Sequence, residues 1–314
     1  MLSYVARRLL LTLPTLILVA STVFFLIRLV PGDPAQLQLG DTADEETIAA
    51  LRQEFGLDRP LWVQFLYWGE RGLSGDFGRS ITNGEAVLPL ILGRFALTAQ
   101  IVLVALTLAV FIAVPLGMIA AWKQNSLTDF SIVTFATLML SVPSFWLGLI
   151  LLLIFGVWLK WLPVVGYVPF AQDPAKALTF MVLPIVTLVL IEIGVLTRMA
   201  RAATADVLRL DYISHARAKG LSEATVLRRH ALPNAFAPTL TLIGIVLGNL
   251  LAGIAVIETV FTLPGLGRLL VDAIFQRDYP VVQGVMLFIA GIYVVVNLAV
   301  DLAYPLFDPR VTAE

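Results

Sequence analysis

Charged residues are absent from five long stretches of this chain, 9–27, 95–122, 130–159, 231–257 and 279–300, and a sixth, 178–197, is interrupted only by Glu192. Each is near or above the ~20 apolar residues that an α-helix needs to cross ~30 Å of hydrocarbon. Strands of a membrane barrel would show short alternating segments instead. The pattern predicts an all-α membrane protein with six transmembrane helices. It divides the chain into an N-terminal end with the first helix (1–30), a segment of short helices (31–94) and a five-helix core (95–314) that contains a polar loop at 198–236.

Within 31–94, "DTADEETIAALRQEFGLDRP" predicts a short amphipathic helix capped by Asp41 or Thr42, with Ile48, Leu51 and Phe55 at helical spacing and Gly56 at its end. Trp62, Phe65, Tyr67 and Trp68 follow; they suit an aromatic belt on the membrane surface or a contact with an external partner. In the later loop, residues 209–219 predict a helix, Gly220 a left-handed cap, and Ser222 with Glu223 the start of a second helix. Pro233 and Pro238 stand at the entry to the next span, where a missing amide hydrogen costs least. Pro115, Pro143 and Pro184 fall inside predicted spans, where each removes a helical hydrogen bond and permits a kink, either shaping a pathway or serving as static architecture. Ser141, Ser144 and Thr187 add candidate polar lining nearby.

Composition sharpens the membrane reading: 14% of residues are charged, against about 25% in soluble domains. Without cysteine there is no disulfide framework or thiolate site, and two histidines, His215 and His230, leave little for a metal cluster. A net charge of -1 carries no nucleic-acid footprint. Placement of charge says more than its sum. Arg198, Arg201, Arg209, Arg217, Lys219, Arg228 and Arg229 oppose only Asp206, Asp211 and Glu223. With Arg7, Arg8 and Lys123 they put both termini and this loop in the cytoplasm, and 31–94 outside. The loop is also a candidate basic patch for anionic membrane lipid. The first run exceeds a signal-peptide core, lacks a small-residue cleavage site and reads as a retained helix.

No phosphate loop, zinc-binding helix or nucleophile elbow is present. Energy for any transport must then come from outside the chain or from an ion gradient. Arg28, Glu258 and Asp301 sit near predicted span ends, within reach of polar surroundings; Glu192 lies deep, as a proton or cation relay, a contact to a polar partner helix, or the lining of a wet cavity.

The loop "DYISHARAKGLSEATVLRRHALPNA" resembles the coupling motif of ABC-importer permeases, E-A-A-x(3)-G-x(9)-I-x-L-P. Gly220 aligns with the motif glycine, Ala216 with its last alanine, and Leu232 and Pro233 with its terminal pair. Ser214, His215 and His230 replace Glu, Ala and Ile. "LVPGDPA", "FGLDRPLWVQFLYW", "GDFGRS", "SVPSFWLG", "ETVFTLPGLGRLL", "RDYP" and "YPLFDPR" extend the likeness over nearly the whole length to dipeptide/oligopeptide/nickel-type permeases, in particular the B-type partner. The resemblance implies a type I ABC importer permease fold in a bacterial or archaeal inner membrane. It further implies a homologous second permease, two cytoplasmic ATPases that bind ATP and Mg, none of it in this chain, and an extracytoplasmic solute-binding protein. It assigns ATPase coupling to Ala216, Arg217, Ala218, Lys219, Gly220, Leu221, Leu232 and Pro233. Pro143, Ser141, Ser144, Glu192 and Glu258 are the pathway or gating candidates, and "TLPGLGRLLVDAIFQRDYP" an external gate or docking surface.

Overall fold

The computed structural model describes residues 2–29, 44–54 and 58–307. The expected caps Asp41 and Thr42 lie outside these residues, as do Phe55, Gly56 and the side chains of Leu51 and Asp301. In chain order the helices are α1 (Leu2–Leu29), α2 (Glu45–Glu54), α3 (Leu61–Leu73), α4 (Val87–Trp122), α5 (Leu127–Ser141), α6 (Ser144–Leu151), α7 (Pro174–Val207), α8 (Asp211–Ala218), α9 (Glu223–Thr225), α10 (Leu232–Val260), α11 (Leu266–Phe275) and α12 (Tyr279–Phe307). A π-helical stretch, Leu152–Trp158, extends α6, and another, Val226–Ala231, joins α9 to α10.

Five helices, α1, α4, α7, α10 and α12, are long and apolar enough to cross a membrane. The run 130–159, expected as one helix, is a bent pair: α5 and α6 meet at 101°, and a sixth crossing exists only if the pair is counted as one. Pro143 is the cause. It cannot donate a helical hydrogen bond, its ring pushes the residue before it out of the α region, and Val142 is extended at φ -88, ψ 126. Pro115 and Pro184, expected to act alike, remain inside unbroken helices.

Helix ends also run past the charge-free stretches. α4 has 36 residues and α7 has 34, about 54 and 51 Å at 1.5 Å per residue, well beyond the hydrocarbon thickness. Arg198 and Arg201, read from sequence as loop residues, therefore lie on α7, and the true connection is confined to 208–231. α4 and α7 form the most extensive helix pair, and α10 packs against both. Lipid supplies no apolar driving force between helices, so close backbone approach has to hold them. Gly117 of α4 makes such a contact: a Cβ there would stand 2.7 Å from Ala200 Cβ and from the Thr197 carbonyl on α7. Gly194 of α7 does the same against α5, at 2.6 Å from the Ala136 carbonyl.

Polar side chains fix the ends. At the α4–α5 turn, Ser126 Oγ accepts the Asp129 amide hydrogen, and Asp129 Oδ2 accepts that of Asn125. Asp129 also receives both arms of the Arg201 guanidinium, at 2.6 and 2.7 Å, which clamps the turn to α7. At the opposite end, Asp278, 2% exposed, accepts from Ser80 Oγ, the Ile81 amide (3.1 Å) and the Thr82 amide (3.3 Å). This binds the segment before α4 to the entry of α12. The expected aromatic belt divides in two. Phe65 and Trp68 of α3 turn inward onto the fully buried Phe24 of α1, while Trp62 and Tyr67 remain exposed. Arg28 meets the polar partner expected of it, Gln64 Oε1, at 3.0 Å.

Breaking the Asp129 clamp strands a poorly exposed arginine. Asp129→Ala is expected to cost about 3 kcal/mol and Arg201→Lys, which keeps the charge but loses the fork, about 1 kcal/mol. Thermal unfolding of the detergent-solubilised variants checks the order; equal midpoints for wild type and Asp129→Ala would remove the clamp from the stability account.

Candidate functional site

The connection after α7 is seated on the molecule by one apolar face. Ile213 and Ala216, one turn apart on α8, are buried together with Val226, Leu227 and Ala231 against Val114 and Met118 of α4 and Ala200, Ala203 and Val207 of α7. Ala216, which the resemblance assigns to ATPase coupling, is buried against the protein's own core. The rest of α8 is exposed, and its last residues, Arg217 and Ala218, lead into exposed Lys219, Gly220 and Leu221.

Gly220 has φ +78, and nothing stands within 4 Å of where a Cβ would be. The glycine is there for its backbone angle, not for space. The Gly220 amide donates to the Arg217 carbonyl (2.9 Å) and the Leu221 amide to that of Ala216 (3.4 Å), the paired bonds of a Schellman cap, as the sequence predicted. Arg217, also assigned to ATPase coupling by the resemblance, holds Glu223 with two hydrogen bonds of 2.8 and 3.2 Å and so closes the turn on itself. His215 is exposed, and His230 contributes its carbonyl, which accepts from Asn234 Nδ2 at 2.9 Å and from the Tyr212 hydroxyl at 3.4 Å. Burial pushes the Tyr212 hydroxyl pKa up from its usual value. Leu232 packs at the edge of the same cluster, and Pro233 is the second residue of α10. From Glu223 to Val260 the chain is helical without interruption.

At the far end of α10 stands Glu258, 0% exposed. It was expected to reach polar surroundings at a span end; those surroundings turn out to be protein. Thr98 Oγ1 of α4 donates to Glu258 Oε1, and the same hydroxyl accepts the Leu266 amide hydrogen at 2.8 Å. Glu258 Oε2 accepts the Arg268 amide at 2.9 Å, in the first turn of α11, where a negative group is favoured. Gly265 lies so close that a Cβ would collide with the carboxyl group. Thr262, a β-branched residue at φ +55, turns the chain just before, in a conformation such residues rarely adopt. Thr98 and Met118 are 20 residues apart on α4, so this lock and the seated loop stand ~30 Å apart along the helix, about the thickness of a hydrocarbon core.

The remaining candidates are not gathered into a site. Ser141 and Pro143 are exposed at the α5–α6 break with Ser144 beside them, and Ser141 donates only to the Thr137 carbonyl of its own helix. Thr187 is buried and bonded to Leu183. Glu192 is half-buried midway along α7, with no hydrogen bond or ion pair among the described residues. Sequence reasoning missed Asp129, Thr98 and Asp278. "S-x-x-D" at 126–129 was a legible cap signal, whereas the partners of Thr98 and Asp278 lie 160 and 198 residues away.

Residues 113–313 match the family model described as "Binding-protein-dependent transport system inner membrane component", and residues 1–102 match "Binding-prot-dependent transport system membrane comp, N-term". The "Probable peptide ABC transporter permease protein y4tP" of Sinorhizobium fredii (strain NBRC 101917 / NGR234) is 42% identical over 308 residues, 98% of each chain. The "Glutathione transport system permease protein GsiC" of Salmonella typhi is 42% identical over 311 residues, 99% of each. Among solved structures, the inward-facing MetNI methionine ABC transporter matches with a TM-score of 0.57 at 17% identity, over 69% of this chain and 96% of that one, a likeness of fold.

Removing Glu258 leaves a buried hydroxyl and an amide without their acceptor. Glu258→Ala is expected to cost about 3 kcal/mol and Thr98→Val about 1–2 kcal/mol, with a combined loss smaller than the sum because the two share one network. Thermal unfolding of the single and double variants measures it; strict additivity would mean that the two groups act separately.

Proposed function

This chain belongs to the family of binding-protein-dependent transport system inner membrane components, and on that premise we propose that it is the B-type permease subunit of an ATP-driven importer of di- or oligopeptides or a related small solute. It is a multi-pass inner-membrane protein whose family role is translocation. In the proposed assembly it pairs with a homologous permease to enclose the pathway. Two cytoplasmic ATPases bind ATP and Mg, and a solute-binding protein docks on the side of α2, α3 and α11. Both termini and the 208–231 connection face the cytoplasm.

One observation carries the coupling role: the outward turn Ala218–Leu221 rides on a loop seated against α4 and α7 and continuous with α10. A push on that turn has no slack to take up before it reaches three long helices. Arg217, spent on Glu223, shapes the turn; Ala218, Lys219, Gly220 and Leu221 meet the ATPase. Leu232 and Pro233 pass the motion into α10. Ala216 takes part from beneath, as the anchor of the loop. The peptide class is supported by the relatives above, each 42% identical across the full length.

Gly220→Val forces a β-branched residue into φ +78 without a clash. It is expected to lower ATPase association and uptake at least about ten-fold while membrane insertion is unchanged. Ala216→Asp should fail through loss of the loop's seat, seen as added protease cleavage between 208 and 231. A lipid-binding patch would instead give graded loss as Lys219, Arg228 and Arg229 are neutralised and little response at Gly220. Solute uptake by the purified chain alone, driven by an ion gradient through Glu192, would overturn the ATP-driven reading.

A further inference from the structure

An open cleft of about 570 Å³ lies at the same end of the molecule as the Glu258 lock. One wall is a single face of the first turns of α4, with Leu90, Arg94 and Leu97 spaced four and three residues apart; Tyr167 and the Pro264 turn form the other wall, and Glu85 stands at the mouth. The volume suits a small organic ligand, and the mix of a largely apolar lining with a few charged groups is that of a ligand site.

The two charges are of opposite sign, and neither is in an ion pair among the described residues. The backbone at Glu85 is held, its amide by Asn83 Oδ1 at 3.0 Å and its carbonyl by the Ser80 amide at 2.9 Å, but its carboxyl group has no partner among the described residues. Arg94 Nη1 donates to the Pro264 carbonyl at 3.3 Å, which steadies the guanidinium on the rear wall and leaves most of its five N–H donors unengaged. Glu85 stands two residues before α4, and Arg94 lies seven residues beyond its first residue, Val87, a rise of ~10 Å within the helix. An extended peptide of three or four residues covers ~10–14 Å at 3.3–3.6 Å per residue. Leu90, Leu97 and the ring of Tyr167 offer apolar side-chain contact, with the Tyr167 hydroxyl as one further polar group.

We propose that this cleft receives a short peptide through its free ends, Glu85 facing the terminal ammonium and Arg94 the terminal carboxylate. The inference rests on the peptide-importer reading above and adds the site to it. Its rear wall is not free-standing. Pro264 precedes Gly265, which abuts the Glu258 carboxyl, and Arg94 lies one turn before Thr98, so the lock ties both walls to α10. Because α10 continues from the outward loop, a tilt of α10 changes the width of the cleft, and the same stroke that opens the pathway loosens the grip on the peptide's ends.

The test uses the complete importer in proteoliposomes, with both permeases, the ATPases and saturating loaded binding protein. The probes are trialanine, its C-terminal amide and its N-acetyl form. Because the binding protein is the same throughout, its own preference cancels when each variant's uptake ratio is compared with that of wild type. Arg94→Gln is expected to lower the free-to-amide uptake ratio at least about five-fold, with partial recovery in Arg94→Lys; Glu85→Gln should lower the free-to-acetyl ratio similarly. Ratios unchanged in both variants, or an equal loss for all three probes together with reduced assembly, which would mark the cleft as a surface covered by the second permease, would overturn the proposal while leaving peptide import standing. No uptake of any probe by the wild type would overturn the importer reading and the cleft with it.

Discussion

A bilayer core gives a polar group no water to bond to, and the architecture of this chain follows from that constraint. Backbone groups retreat into helices, and the buried charged groups near the helix ends are enclosed by partners rather than left to snorkel. Asp129 takes Arg201 and two turn contacts, Glu258 takes a hydroxyl and a helix amide, and Asp278 takes a hydroxyl and two loop amides. Each joins elements distant in sequence, so the polar network rather than the apolar packing decides which helix ends sit together. Along the shafts the opposite strategy holds: Gly117 and Gly194 remove side chains so that dispersion contacts between backbones do the work.

The two strategies make a lever of the centre of the fold. α4, α7 and α10 are long and closely packed; the Ile213–Ala216 seat rests on α4 and α7 at one end, and Glu258 with Thr98 ties α10 to α4 at the other. Packed interfaces of this kind shift as bodies instead of deforming. A loop that merely hung from the helices would absorb a push; this one is wedged against two of them and is the beginning of the third.

Much of this was legible in advance. Long charge-free runs locate helices because solvation by hydrocarbon is a property of the run itself. Their ends were misjudged because α4 and α7 extend beyond any hydrophobic boundary, and charged residues such as Arg201 are tolerated there once paired. Pro143 and Pro184 look alike in sequence, yet only the first breaks its helix. Gly220 was readable because its requirement is local. Ala216 was not: an alanine carries no sign of which face of a short helix it will occupy. The polar surroundings expected of Glu258 near a span end were legible, but not their identity, since its hydrogen-bond partners come from α4 and from the start of α11.

The contact between Ser80 and Asp278 carries a consequence for how the chain is made. The two residues are separated by 198 positions. At ~5–20 residues per second, the segment before α4 waits roughly 10–40 s for its buried acceptor to be synthesised. For most of that interval α1 and α4 have both been made while the segment between them is unfastened. The last long helix to emerge is therefore the one that closes the first part of the molecule, and a nascent chain stalled before Asp278 presents an unclosed turn that quality-control proteases can reach.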